Sequence, residues 1–202
     1  MSPTHLDDVP PVPPVSLLDA LDERRSVPAR QLGTPAPDEA TLLRMLASAC
    51  RVPDHGKRVP WRFVSVQGDA RLALGERLAT LTASRDPEAA PAAIEKDRER
   101  FSHAPLVVTV IARLGEDAQI PGQERLLTAG CVCFALLQAA QGLGFGASWL
   151  TGWPAYDRTV HGWLGLSDDE AIAGFIHIGT PRLEAPERER PDPATLLTDW
   201  RP

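Results

Sequence analysis

Lysine is almost missing from these 202 residues: only Lys57 and Lys96 stand beside the arginines. Any anion site must therefore be built from guanidinium groups, which grip phosphate and carboxylate bidentately. No basic run occurs and the formal net charge is −6, which argues against a nucleic-acid binder. Cysteine is scarce and odd in number, with Cys50, Cys131 and Cys133. Neither C-x-x-C nor a Cys/His ligand pattern is present, so no disulfide framework or zinc site is expected. Cys131 and Cys133, two apart, point to different faces of an expected helix. All three are read as buried apolar thiols in a reducing compartment.

Other signatures are absent too. His5, His55, His103, His161 and His177 are scattered without ligand spacing, which disfavours metal-assisted hydrolysis. There is no G-x-S-x-G elbow and no P-loop. The longest apolar run, residues 126–140, is interrupted by Thr128 and Gln138 and is too short for a membrane span. The N-terminus shows no basic region followed by an apolar core, so a secretory signal is not expected and a cytoplasmic protein is.

What remains is an ordinary globular composition, 43% hydrophobic and 24% charged, of a length that suits one domain. Residues 1–15 are Pro-rich and polar and read as a flexible tail; residues 16–202 read as the domain. Ser16 can cap a short helix with Leu17, Leu18 and Leu21 on one stripe. Asp38 starts a second helix, with Leu42, Leu43, Leu46 and Cys50 inward. Strands are expected at 61–66, 105–112, 146–151 and 171–180, and helices over DARLALGERLATL, EAAPAAIEKDRERF, 123–142 and 155–164. The helix at 123–142 is apolar nearly all round, which fits the middle of a core or a subunit interface. Asp168 and Asp169 read as a solvated helix cap. Strands and helices do not alternate regularly, so the expectation is α+β: a small mixed β-sheet surrounded by helices, with an extended C-terminal arm.

Three stretches concentrate chemistry. In DERRS, Arg24, Arg25 and Ser26 offer many donors to an anion, although cations also suit a helix C-terminus. In RVPDHGKRVPWRF, residues 51–63, a loop stiffened by Pro53 and Pro60 carries Arg51, Asp54, His55, Lys57 and Arg58. In GLGFGASWLTG, residues 142–152, three glycines fall two apart. A dinucleotide fingerprint fails there on spacing and on order, because a helix precedes and a strand follows. A helix C-cap with a tight turn, and a strand edge lying against a planar ligand, both stay open.

Taken in order, RRS at 24–26, RVPDHGKRVPWRF at 51–63, AP at 104–105, AGC at 129–131, GFGASWLTGW at 144–153 and GFIHIGTP at 174–181 resemble the nitroreductase family of flavin enzymes, in particular its short bacterial subgroup. The resemblance spans nearly everything from Ser16 onward. It implies an α+β sandwich, an intertwined homodimer, and FMN held between the subunits with NADH or NADPH as electron donor. Arg24, Arg25 and Ser26 would hold the phosphate and ribityl chain. Arg51 and His55 would reach the same cofactor from the other subunit. Trp149, Leu150 and Thr151 would line the isoalloxazine, the glycines letting backbone approach the ring, and Arg188 and Arg190 of the arm would add contacts to the phosphate. Chemistry resides in the flavin, so no catalytic side chain is named. The acceptor is a small molecule such as a nitroaromatic or a quinone. A dehalogenase, an enal- or ene-type reductase, a flavin-destroying oxygenase or a low-turnover flavin-binding protein on the same scaffold are the alternatives. Leu150 stands where close relatives often carry arginine, and PDHGK departs from the Ser/Asn-rich loop of larger members.

Overall fold

A computed structural model describes residues 17–201; the Pro-rich tail and Ser16 lie outside the described residues. Eleven regular elements follow: α1 Leu17–Asp22, β1 Leu32–Gly33, α2 Glu39–Ala49, β2 Trp61–Gln67, α3 Asp69–Arg85, α4 Pro91–Glu99, β3 Leu106–Arg113, α5 Gly122–Gly142, β4 Gly146–Leu150, α6 Arg158–Trp163 and β5 Glu170–Pro181. Local chemistry sets several starts. The Asp38 carboxylate accepts from Thr41 N at 2.8 Å to cap α2, and Pro91 occupies the first turn of α4, where its missing N–H costs nothing. Asp157 accepts from Thr159 N and Val160 N. That cap moves the start of α6 to 158 and leaves Trp153–Ala155 as a separate 3-10 turn.

The sheet runs β1-β5-β3-β2, with β4 also on β5. Every pairing is antiparallel, which corrects the mixed sheet expected. The reason is burial: β3 is buried along all but its last residue. A strand covered on both faces reads as a continuous apolar run whatever its direction. The two-residue β1 carried no sequence signal.

Side chains alternate across the sheet. Leu106, Val108, Val110, Ile176 and Ile178 join α2 and α5 in one core layer. Val107 and Phe175 join Leu74, Leu78, Phe101 and Val160 in the other. The register slips once. Val110 pairs with Gly174 and Ile111 with Ile172, so Ala173 is an extra residue, a β-bulge.

Some details differ from expectation. On α2 the buried residues are Met45 and Ala49, while Leu43 is 58% exposed, because the inward stripe is rotated by one position. Only Cys133 is buried; Cys50 and Cys131 are exposed. Burial pushes the Cys133 thiol up to about 12, so it stays protonated and inert. Asp168 and Asp169 lie in the turn leading into β5, not at a helix cap. Asp169 accepts from Ser167 Oγ at 2.6 Å. Among the described residues no helix is long and apolar enough to cross a membrane.

Candidate functional site

The Arg24–Arg25–Ser26 loop leaves α1 and folds against β4, where Val27 N donates to Ala147 O at 3.0 Å. The C-terminal arm returns to the same place. Glu187 of the arm forms an ion pair with Arg25 and lies 3.1 Å from Arg190, and Arg24 Nη1 donates to Ser26 Oγ at 3.3 Å. The Arg24 guanidinium is held below the ordinary arginine range, first by burial and then by the like charges of Arg190, Arg188 and Arg25. Two stretches about 160 residues apart in sequence thus form one cationic cluster. One carboxylate, Glu187, is shared by Arg25 and Arg190, and Arg24 and Arg188 have no acidic partner among the described residues. Glu23 and Glu184 line the adjoining pocket as well, but Arg24 and Arg188 keep charge-assisted donors that no described carboxylate takes, and such donors suit a phosphate.

β4 carries the second part. Ala147 and Trp149 are two residues apart, about 7 Å along a strand, so the cluster and the Trp149–Thr151 segment adjoin. Trp149 has a built seat. Its indole N–H donates to the carbonyl of Ala173, the bulged residue, at 3.0 Å. A Cβ on Gly174 would come within 2.0 Å of that indole nitrogen. Bulge and glycine together turn a carbonyl outward and clear space for the ring. Trp149, 38% exposed, then walls an apolar cleft of about 710 Å³ with Val52, Pro53, Leu127, Phe134 and Tyr156. Strand alternation puts Leu150 on the opposite face, opposite Phe175. A planar ligand that meets both side chains therefore meets β4 edge-on, and β4 is a free-edged strand beyond the Val27 contact.

The glycines that precede β4 serve another purpose. Gly144 takes φ +79°, Gly144 N donates to Gln141 O and Phe145 N to Ala140 O, both at 2.9 Å. This is a Schellman cap on α5. A Cβ on Gly146 would fall 2.8 Å from Leu32. Of the two readings left open, the helix C-cap is present at Gly144, and Gly146 permits a close chain crossing.

Arg51 and His55 lie elsewhere. His55 Nδ1 is 2.7 Å from Glu124 Oε2 near the N-terminus of α5, and the exposed Arg51 side chain has no partner among the described residues. The loop is clamped by Asp54, which accepts from Arg58 N and Val59 N, and by the Arg58–Asp117 ion pair at 2.7 Å. That clamp sustains positive φ at Lys57 and Val59, a strained conformation for side chains of these types. At the other end of α5, Gln141 Nε2 reaches Ala20 O of α1. Helix rise places Glu124 and Gln141 about 26 Å apart. Within one chain His55 and the arginine cluster thus sit at opposite ends of α5, while Val52 and Pro53 of the same loop reach the Trp149 cleft.

The cluster, the indole wall and the open strand edge fit a flat aromatic group bearing a phosphate. The sequence matches the Nitroreductase family over residues 21–180. This chain belongs to the nitroreductase family. It is 35% identical over 185 residues to Escherichia coli K12 YdjA, named as an NAD(P)H nitroreductase, covering 90% of this chain and 97% of that protein. A nitroreductase-like protein from Bacillus cereus superposes with a TM-score of 0.76 at 25% identity, over 91% of this chain and 95% of that one. A Bacteroides fragilis nitroreductase solved with bound FMN gives 0.68 at 20% identity, over 91% and 98%. The family assignment makes the protein an oxidoreductase.

Sequence reasoning missed one polar centre of this nitroreductase. Asp97 on α4 is 5% exposed and accepts from Arg100 Nε and Nη2, Thr82 Oγ1 and Trp153 Nε1. Burial pushes its carboxyl up, but those four donors prevail and hold it below the usual range. Nothing in the polar string IEKDRER marks one of its acids as buried. Glu187, which organises the arginine cluster, was legible only as part of a charged run.

Proposed function

We propose that this protein holds FMN and moves hydride from NADH or NADPH through the flavin to a small acceptor such as a nitroaromatic or a quinone. It acts in the cytoplasm as a homodimer whose two cofactor sites are shared between subunits. The observation that carries the reading is the convergence of Arg24, Arg25, Ser26, Arg188 and Arg190 beside the Trp149 seat on the edge of β4. FMN, when bound, supplies the redox chemistry by accepting hydride from the nicotinamide and passing electrons to the acceptor. Arg24 and Arg188 grip the phosphate, and Ser26 adds a hydroxyl. Arg25 and Arg190 are held in place by Glu187. Trp149, Leu150 and Thr151 would flank the ring at the strand edge, and the apolar cleft beyond Trp149 would offer an aromatic acceptor a surface. No side chain acts as nucleophile.

The shared site follows from distance. If His55 grips the same cofactor as the arginine cluster, the two come from different copies, because His55 meets Glu124 and the cluster lines the pocket at Gln141, about 26 Å further along α5. Exposed apolar side chains support the pairing: Leu17 and Leu18 on α1, Leu127 and Phe134 on α5, and Leu196, Leu197 and Trp200 on the arm. Such surface is unusual for a free monomer.

The test is the visible spectrum of the purified protein and of its heat-released supernatant. Yellow protein that releases FMN and bleaches anaerobically with NADH or NADPH is expected. A colourless protein that added FMN cannot reconstitute defeats the reading. Arg24→Ala weakens FMN binding by about 1.5–3 kcal/mol, the scale of a charge-assisted hydrogen bond; unchanged affinity removes Arg24 from the site. Sedimentation of the FMN-loaded protein completes the set, since a monomer with full FMN occupancy contradicts the shared site.

A further inference from the structure

We infer that Arg100 is a positioning residue that sets the reduction potential of the flavin through a fixed positive charge at the end of β4. The inference rests on the FMN reading above. Its geometry is independent of the arginine cluster. Asp97 is the buried end of an oriented ion pair, its side chain 7% exposed, and Arg100 is the outer end at 21%. Three elements hold that pair: α4 through Asp97, α3 through Thr82 Oγ1 at 2.8 Å, and the turn after β4 through Trp153 Nε1 at 3.0 Å. Two of the Arg100 nitrogens, Nε and Nη2, are taken by Asp97 at 3.2 and 2.8 Å. The third, Nη1, has no acceptor among the described residues and lies against Gly152, where a Cβ would come within 2.9 Å of it.

Gly152 follows Thr151 directly, with φ +78°. A side chain there would push the guanidinium away, so the glycine admits the charge to the backbone at the end of the Trp149–Thr151 segment. The positive field already reaches β5, where Arg100 disfavours protonation of His177. A ring seated edge-on along residues 149–151 lies in the same field. Two-electron reduction makes a flavin more negative, and a nearby fixed cation favours that state. The carboxylate opposes this effect, but the guanidinium is the end that lies against Gly152, next to Thr151, whereas Asp97 meets the side chain of Trp153. Leu150 contributes no charge, so on this side of the strand the cation comes from α4.

The experiment is a potentiometric titration of the FMN-loaded full-length protein against reference dyes, with FMN affinity measured in parallel by fluorescence quenching. Arg100→Gln is expected to shift the midpoint potential to more negative values while FMN affinity stays within about twofold. Arg100→Lys keeps most of the wild-type potential. Asp97→Asn preserves the shape and the Thr82 and Trp153 contacts but removes the opposing charge, and is expected to shift the potential the other way. That opposite sign is a result a purely structural role does not produce, and it keeps the test open if Arg100→Gln fails to fold. An unchanged potential in flavin-loaded Arg100→Gln, or shifts of the same sign in the Gln and Asn variants, overturns the assignment. Wild-type protein that binds no FMN overturns the underlying flavin reading instead.

Discussion

Acidification strips stability from this fold through one histidine. His177 sits on β5 between Val107 of β3 and Ser148 of β4 and is 1% exposed. Phe101 stacks on it at 6.0 Å with the rings nearly parallel. Its Nδ1 is buried with no hydrogen-bond partner among the described residues. The charged groups that face it are His103 and Arg100, both cations or potential cations. Burial first, then those two, push its pKa down from 6.5 to about 4. In the unfolded chain it takes a proton near 6.5; in the fold it refuses one until about 4. Between those values the unfolded state holds the extra proton, so stability falls as pH falls. The histidine leaves stability untouched above about pH 6.5, and the full loss, about 3 kcal/mol, is reached below about pH 4.

Most of that loss appears early. Linkage gives about 2 kcal/mol between pH 7 and pH 5 from this group alone. The assay is urea unfolding of wild type and His177→Leu at both pH values and at one fixed protein concentration, since assembly and bound ligand also enter apparent stability. Other titrating groups act in both proteins and cancel in the comparison. Wild type is expected to lose about 2 kcal/mol more than the leucine variant on going to pH 5. Parallel pH dependence in the two refutes the account, and means that the fold opens to accommodate a protonated His177.

Two further outcomes test packing and charge. Gly75 on α3 faces the carbonyl of Arg98 on α4, and a Cβ there would come to 2.0 Å; Gly75→Ala is expected to cost about 1–3 kcal/mol by forcing the helices apart, read as a lower denaturant midpoint. Glu170 takes two hydrogen bonds at 2.7 Å from Arg62, which, against burial, hold its carboxyl down at about 2. Glu170→Gln is expected to cost about 1–3 kcal/mol at pH 7. The folded pKa is lowered, so the wild-type contribution is fully present above the unfolded value of 4.5 and is lost progressively as pH falls from there through about 2. The variant and wild type therefore converge in strong acid, and a constant difference down to pH 2 would contradict the pairing.

The fold was legible wherever one residue type controls local geometry. Asp38 gave the start of α2, because a cap acts through its own backbone; the helix expected from Glu88 begins instead at Pro91, which takes the first turn of α4. The bounds of β3, β5 and α5 fell within a few residues of their apolar runs. Strand direction was not legible, since burial on both faces erases the alternation that marks an antiparallel strand. Nor was the role of the glycines at 142–146. A Schellman cap and a ligand-facing edge ask for the same residue, and only Leu32 and Val27, over a hundred positions away, decide between them for Gly146. In the candidate site, RRS and RER stood out as charge. Their convergence depends on the Glu187–Arg25 pair, a long-range contact with no local signal. Arg51 and His55 are expected to reach the cofactor from the other subunit, and within one chain His55 sits by Glu124 at the far end of α5 from the cluster.

β4 shows why the site is built from distant parts. A five-residue strand has two faces and two edges, and three of these are already committed. One edge pairs with β5. One face seats Trp149 on the Ala173 bulge and Gly174. The other face packs Ser148 beside His177, with the Asp97–Arg100 pair at its end. The outer edge is covered at Ala147 by Val27 and opens beyond it. In the proposed site a planar ligand meets this open edge, with the arginine cluster at one end and Arg100 at the other. The position of that opening is set by where the α1–β1 connection leaves the strand. Val27 is thus the residue that fixes the length of exposed edge, and the loop that carries it is also the loop that carries Arg24, Arg25 and Ser26. Edge length and anion grip are coupled through one stretch of backbone, so a shift of this loop along β4 moves the phosphate site and the ring site together.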